Sequence, residues 1–420
     1  MHGDLETQMI KGGAQPSLAK KFVSDRIKDF TPAWFAVVMG TGAVSGLLHS
    51  FPYGHKPVLH AFGAGMLLFN VILLFVFLGF AITRYVRHPE VFKAMLLHPL
   101  QCLYVGCLPM GFATIINALL NLRDDYFPES RTFVYVLWGL WWFDIAVGIP
   151  AYFLMLYTMI SRHEHSIETL NPVWILPTIT LIVPSTTGAL LAEALIPYST
   201  THTIIGVFVS AGTLALGLGL AVMLMVLYLL RLITHGVAKN LIAAKFIPVG
   251  PCGQAGSAFI VLGQVTAKLA ENKARQSVLL DAAQPLALLG FAAAYFLWTF
   301  GIWWVVLSAV SVYETFRDNR PKFAAGFWGM VFPMGVYSML TINLAETLDS
   351  GFFRVVASVL CLYMFTLWTT LTFLTIRSLI QDREALLNST LPFIAPQPER
   401  TQNGVGLGDR TSSADTVFEQ

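Results

Sequence analysis

Residues 61–83 read AFGAGMLLFNVILLFVFLGFAIT, a run of 23 residues without a charged side chain. An α-helix rises about 1.5 Å per residue, so about 20 such residues cross the roughly 30 Å hydrocarbon core of a bilayer. A helix that is apolar on every face suits lipid, whereas on the surface of a soluble protein it would leave a large exposed apolar patch. The run therefore predicts a membrane-spanning helix.

Similar apolar runs recur along the 420-residue chain. Only 12% of the residues are charged, whereas soluble proteins carry about 25%. The sequence therefore predicts an all-α polytopic membrane protein with ten transmembrane helices. The predicted spans are 33–53, 61–83, 99–121, 132–160, 173–195, 203–233, 246–268, 286–313, 323–347 and 352–380.

The Lys and Arg residues between the spans predict the orientation of the chain. If both termini are cytoplasmic, the cytoplasmic segments hold 19 of the 26 Lys and Arg residues. Cytoplasmic loops of membrane proteins are usually enriched in these residues. We therefore expect a cytoplasmic N-terminal arm (1–32), a ten-helix transport domain (33–380) and a cytoplasmic tail (381–420). The Pro, Gly and polar content of the tail predicts disorder.

The odd-numbered spans differ from the even-numbered ones. Each odd span carries a cluster of small, polar or helix-breaking residues, at 39–42, 109–111, 184–188, 250–254 and 332–335. The even spans are nearly continuous apolar runs. Broken helices need protein or water around them, whereas apolar helices tolerate lipid. This pattern predicts five helical hairpins, with the odd helices forming an inner pore ring and the even helices an outer ring.

Helical spacing collects the polar side chains of the odd spans onto single faces. In the ninth span, Phe332, Gly335, Met339, Asn343 and Glu346 share one stripe. A single stripe of this kind more often marks a helix-packing seam, but stripes on all five odd spans favour a polar path. The candidate pore and substrate-binding residues are Thr41, Ser45, Asn117, Thr186, Glu193, Gln254, Ser257, Met339 and Asn343.

The chemistry of these residues favours a small anion. No span carries Lys or Arg away from its ends, so hydroxyl, amide and backbone N–H groups would solvate the ion. Phe332, beside the helix-breaking Pro333, is the candidate gate. Glu193 has two interpretations, proton coupling or a structural hydrogen bond, because a mid-membrane carboxylate costs about 2.5–3.5 kcal/mol. The sequence leaves open a passive channel and a proton-coupled transporter.

Two other polar residues have plainer interpretations. Asp144 lies in an even span and is expected to hydrogen-bond between helices, and His49, near the end of the first span, is expected at a pore mouth. Neither belongs to a nucleophile–base or metal motif, and the sequence has no HExxH or GxSxG. We therefore predict a transporter rather than an enzyme, with no cofactor, no metal and no nucleic-acid partner.

Several segments together resemble the tellurite-resistance/dicarboxylate transporter family, which includes plant slow anion channels and the yeast malate permease. They are 39–42 (MGTG), 50–53 (SFPY), 98–99 (HP), 109–111 (PMG), 133–138 (FVYVLW), 250–254 (GPCGQ) and 327–335 (FWGMVFPMG). The resemblance covers about residues 30–380 and is stronger to the fungal sulfite efflux branch, although Cys252 stands where that branch has methionine.

The resemblance implies export of sulfite or bisulfite across the plasma membrane, with a phenylalanine gate at Phe332. It also implies a homo-oligomer, a trimer as in bacterial and plant relatives or else a dimer. The alternative within the family is a C4-dicarboxylate (malate) permease. A dianionic acid favours a fixed cation in its path, and the spans offer none, so the sequence favours sulfite. The expected partners are therefore this anion, the lipid bilayer and further copies of the chain.

Overall fold

The computed structural model describes residues 30–237, 242–271, 282–318 and 323–381. Ten helical segments among them are long and apolar enough to cross a membrane, which confirms the predicted all-α architecture and number of spans. The predicted cytoplasmic arm and disordered tail lie almost entirely outside the described residues.

The described residues contain eleven α-helices, of which the short α3 is the one that is not a candidate span. They are α1 (Phe35–His49), α2 (Lys56–Arg87), α3 (Pro89–Leu97), α4 (Cys107–Tyr126), α5 (Arg131–Arg162), α6 (Leu176–Leu195), α7 (Thr200–His235), α8 (Val249–Glu271), α9 (Ala283–Asp318), α10 (Val331–Thr347) and α11 (Gly351–Gln381). We call α1, α4, α6, α8 and α10 the inner helices, and α2, α5, α7, α9 and α11 the outer helices.

Burial separates the two sets of helices. In the most apolar stretch of each inner span, 67–94% of the residues are buried within the protein. The corresponding share for the outer spans is 17–44%. The apolar side chains of the outer helices therefore face away from the protein, where lipid can cover them.

Contacts between the inner helices follow a closed order. Helix α1 packs on α4, α4 on α6, α6 on α8, α8 on α10, and α10 on α1 again. Each outer helix packs on the inner helix that precedes it in the chain.

The inner helices are not broken at their Pro and Gly clusters, contrary to expectation. Helices α1 and α6 run without interruption through 39–42 and 184–188. Pro109, Pro251 and Pro333 are each the third residue of their helix. The first four N–H groups of a helix have no intrahelical partner, so proline fits there without a break. The irregular backbone instead precedes each inner helix as a short 3₁₀ segment, at Pro32–Trp34, Cys102–Tyr104, Pro172–Ile175, Ile242–Phe246 and Ala325–Met330.

His98 shapes the connection between α3 and the span that contains α4. Its Nδ1 accepts hydrogen bonds from the backbone N–H groups of Leu100 (3.1 Å) and Gln101 (3.2 Å). Burial, with a smaller contribution from the charge of His163, lowers the pKa of His98 below its usual value. The neutral imidazole is therefore favoured, and only the neutral ring has the free lone pair that these two bonds require.

The inner helices α8 and α10 approach closely at Gly253. A Cβ atom at this position would lie 2.6 Å from the Tyr337 backbone nitrogen and 2.7 Å from its Cα. Tyr337 is fixed in turn, because its hydroxyl donates a hydrogen bond to the Trp298 carbonyl of α9 over 2.7 Å. This contact between two inner helices therefore requires glycine.

We expect Gly253→Ala to destabilise the protein by about 1–3 kcal/mol, because the added methyl group must push two inner helices apart. Gly219→Ala in outer helix α7 is the matched control, since no atom lies within 4 Å of an added Cβ there. Thermal unfolding of both variants in detergent measures the difference. Equal melting temperatures for the two variants would contradict the close contact.

Candidate functional site

A cavity of about 260 Å³ lies between the inner helices, and each of the five contributes to its wall. The polar wall residues are Ser50, Thr114, Asn117, Asn121, Thr186, Gln254, Ser257, Asn343 and Glu346. The small and apolar wall residues are Gly42, Ala43, Gly46, Ala118, Val183, Leu190, Val261, Phe332, Gly335, Val336 and Met339. The cavity wall thus combines polar and apolar side chains.

The structure brings most of the predicted pore residues together in this one cavity. Those in the wall are Asn117, Thr186, Gln254, Ser257, Met339, Asn343 and the predicted gate residue Phe332. All five members of the predicted stripe on α10, from Phe332 to Glu346, line it. Spacing along the sequence therefore grouped residues of α10 that line one cavity.

Three predicted residues lie elsewhere, each with a packing partner. Thr41 accepts a hydrogen bond from the Trp368 indole of outer helix α11 over 3.1 Å. Ser45 donates to the Gly63 carbonyl of outer helix α2 over 2.8 Å. Glu193 forms an ion pair with Lys268, which ties α6 to α8. The helix-packing interpretation thus fits these three side chains. Pro333, which was predicted together with Phe332 at the gate, follows this wall residue but is not itself part of the wall.

The cavity runs from a buried end to an exposed end. Along α10 its wall extends from Phe332, the second residue of the helix, to the exposed Glu346. Fourteen residues of helix correspond to a rise of about 21 Å. Phe332 is only 3% exposed, and as the second residue of α10 it lies where this helix begins. An aromatic ring therefore forms part of the wall at the buried end of the cavity.

The wall offers hydrogen-bonding groups but no fixed positive charge among the described residues that form it. The Ser257 hydroxyl and the Asn117 side-chain oxygen are buried there, and neither has a hydrogen-bond partner in the described part of the chain. The Thr186 hydroxyl donates to the Gln254 backbone carbonyl over 3.1 Å. Buried polar groups normally find partners, so the two open groups indicate a place for water or a polar ligand.

Sequence reasoning missed most of the small and apolar residues of the cavity wall. Ala43, Gly46, Val183, Leu190, Val261 and Val336 carry no polar atom in their side chains, and a search for polar stripes passes over them. Gly335 faces Ala43 so closely that a Cβ atom would lie 2.8 Å from the Ala43 Cβ. Small side chains at regular spacing on α1 and α10 were the available signal for this close approach.

Asp144 does not form the inter-helix hydrogen bond that was expected of it. Its side chain is 1% exposed, and neither carboxyl oxygen has a hydrogen-bond partner among the described residues. It is also absent from the cavity wall, so the structure gives this residue no part in the site.

Comparison with known proteins agrees with this architecture. The family model described as "SLAC1: Voltage-dependent anion channel" matches residues 29–376. The chain is 32% identical to the sulfite efflux pump SSU1 of Trichophyton rubrum over 358 residues, which cover 83% of this chain and 91% of the relative. It is 30% identical to the sulfite efflux pump SSU1 of Candida albicans, over 76% of this chain and 66% of the relative.

A further relative carries a different substrate in its name. The chain is 26% identical to the malic acid transport protein of Schizosaccharomyces pombe, over 85% of this chain and 80% of the relative. These similarities span the ten candidate membrane segments and confirm the resemblance seen in the sequence motifs. The chain belongs to the SLAC1 voltage-dependent anion channel family.

Proposed function

We propose that this protein exports sulfite or bisulfite through the cavity, and that Phe332 closes the path at its buried end. One observation carries the proposal: all five inner helices contribute to the wall of a single cavity, its polar side chains are uncharged apart from Glu346 at the exposed end, and no described Lys or Arg lies in the wall. The similarity to sulfite efflux pumps over 83% of the chain supports the choice of anion.

Uncharged hydrogen-bond donors suit an ion that must pass through the site and leave it again. Hydroxyl and amide groups such as those of Ser257 and Asn117 replace part of the hydration shell of an anion. A buried Lys or Arg would add a strong charge-assisted bond and hold the ion in place. The Ser257 hydroxyl can donate a hydrogen bond and has no partner among the described residues, which supports a part for this group in binding the anion.

A passive path is sufficient for export. A membrane potential that is negative inside favours the exit of an anion by about 2.3 kcal/mol per charge per 100 mV. Glu193, which the sequence makes a candidate for proton coupling, is paired with Lys268 outside the cavity wall. Both points favour a channel-like mechanism over proton coupling.

The second candidate function is malate transport. It is favoured by the similarity to the malic acid transport protein over 85% of this chain. Malate carries two carboxylates at neutral pH, whereas sulfite is in equilibrium with the singly charged bisulfite, and the double charge of malate is best held by Arg or Lys. The described wall of the cavity contains neither residue, and Glu346 adds a negative charge at its exposed end. Sulfite is therefore the preferred substrate.

We also propose a plasma-membrane location with both termini in the cytoplasm. The distribution of Lys and Arg supports the orientation, and the relatives' role in efflux supports the membrane. In this orientation Phe332 closes the cytoplasmic end of the path. Since one chain lines a whole cavity, a homo-oligomer, whether trimer or dimer, would hold one path per chain.

The orientation predicts which positions water-soluble reagents reach on intact cells. A cysteine introduced by Pro128→Cys, between α4 and α5, should react with a membrane-impermeant maleimide, and one introduced by Arg410→Cys should react only after permeabilisation. The four natural cysteines are buried, so the background should be low. Labelling of Arg410→Cys on intact cells would contradict the orientation.

We expect Phe332→Ala to raise sulfite flux several-fold, because it removes the ring that closes the buried end of the cavity. Phe327→Ala is the matched control, since Phe327 precedes the same helix but packs on Phe323 and Phe316 away from the cavity wall. Both variants are compared with the natural protein in proteoliposomes at equal protein density. If Phe332→Ala folds and its flux is unchanged, Phe332 is not the gate.

Efflux from proteoliposomes preloaded with radiolabelled sulfite or malate decides between the two substrates. We expect sulfite to leave at least about tenfold faster at equal concentration and imposed potential, because part of it is present as the singly charged bisulfite, whereas malate is a dianion and the wall has no cation to hold it. Protein-free liposomes at the same pH correct for leakage of the protonated acids. Faster efflux of malate than of sulfite would establish the second candidate function instead.

A further inference from the structure

Two histidines and an aspartate from three helices meet beside the exposed end of the cavity. His49 is the last residue of α1, His60 lies in the second turn of α2, and Asp125 is the penultimate residue of α4. The Asp125 Oδ1 lies 2.8 Å from the His60 Nδ1 and 3.2 Å from the His49 Nε2. The two imidazole rings stack with their centres 4.0 Å apart. Residues far apart in sequence thus direct three ligand-type atoms at one point.

We propose that His49, His60 and Asp125 bind a divalent transition-metal ion of the Zn²⁺ type. The three candidate ligand atoms all lie within 4.8 Å of one another. Zn²⁺ binds nitrogen and carboxylate oxygen at about 2.0–2.2 Å, which places the ligands of a tetrahedral site roughly 3.3–3.6 Å apart. Small rotations of the side chains, with the proton of each neutral imidazole moved to its other ring nitrogen, therefore convert the hydrogen-bonded cluster into a coordination site.

The donor set selects the class of ion. Imidazole nitrogen suits Zn²⁺, Cu²⁺ and Ni²⁺, whereas Mg²⁺ and Ca²⁺ prefer sites made of oxygen. Two imidazoles and one carboxylate are three protein ligands, which leaves a fourth position for water. A cleft of about 10 Å³ beside the cluster, bordered by Ser45 and Asn121, is close to the size of one water molecule.

The cluster is accessible to ions from water. The side chains of His49, His60 and Asp125 are 21%, 23% and 18% exposed. The guanidinium group of Arg123, next to the cluster in sequence, forms an ion pair with Asp124. With neutral imidazoles the cluster itself carries one negative charge, which favours the approach of a cation.

The position of the site connects it to the anion path. Asn121 and Ala118 line both the large cavity and the cleft beside the cluster. Asn121 lies one helical turn before Asp125 on α4. A bound ion would therefore link the ends of two inner helices and place positive charge beside the exposed mouth. This consequence rests on the proposed function, whereas metal binding itself does not.

Zn²⁺ titration of the purified full-length chain tests the site without any transport assay. The protein carries no histidine tag, and free Zn²⁺ is measured by competition with a chromophoric chelator. We expect one Zn²⁺ per chain with a Kd of about 10 μM or below, and no comparable binding of Mg²⁺ or Ca²⁺. Absence of saturable Zn²⁺ binding up to about 100 μM would overturn the proposal.

Variants assign the binding to this cluster. We expect His60→Ala and Asp125→Asn to weaken Zn²⁺ binding at least about tenfold, and His60→Cys to retain it because a thiolate is also a zinc ligand. His55→Ala is the matched control, since His55 is an exposed histidine just before the same helix. Melting temperatures without metal show that each variant is folded.

A cluster that only joins helix ends by hydrogen bonds gives a different result. His60→Ala would then lower the melting temperature without metal, while Zn²⁺ binding to this variant would equal that of the natural protein. Unchanged affinity in a folded His60→Ala or Asp125→Asn variant, or an equal loss in His55→Ala, would place the ion elsewhere and refute the site.

Discussion

Backbone and side-chain polar groups within a bilayer must find their partners inside the protein, and the arrangement of the inner helices depends on this constraint. Three outer helices supply such partners through tryptophan. Trp141 donates to the carbonyl of Pro184 over 2.8 Å, Trp298 to the hydroxyl of Thr341 over 3.0 Å, and Trp368 to the hydroxyl of Thr41 over 3.1 Å. Outer helices therefore shield the inner ones from lipid and also satisfy polar groups on their outward faces.

The same constraint divides the polar residues of each inner helix into two groups. Those that face an outer helix are saturated, as Ser45 is by the Gly63 carbonyl. Some of those in the cavity wall keep free hydrogen-bonding capacity, as Asn117 and Ser257 do. A stripe of small and polar residues can thus serve packing on one side of a helix and ion solvation on the other. The chemistry of the site follows from which face meets a partner helix.

This division explains how much the sequence could predict. The number of spans, the alternation of inner and outer helices and the cavity face of α10 follow from hydropathy and helical period, because those patterns are local. The placement of Thr41, Ser45 and Glu193 does not, since it depends on Trp368, Gly63 and Lys268, which are distant in sequence. The cluster of His49, His60 and Asp125 could not be predicted from the sequence for the same reason, because its three residues lie on three helices. The 3₁₀ segments carry no periodic signal of their own.

Close packing also limits how the path can open. Helix α10 is fixed on one side by α8, where Gly253 meets the Tyr337 backbone, and on the other by α1, where Gly335 meets Ala43. Tilting α10 would force backbone or Cβ atoms into contact at one of these points, and a packed interior resists such displacement. Phe332 stands at the start of α10, directly after the 3₁₀ segment Ala325–Met330. For the proposed gate, rotation of the Phe332 side chain is therefore the smallest change that would clear the buried end, since the two glycine contacts can stay intact while the ring moves.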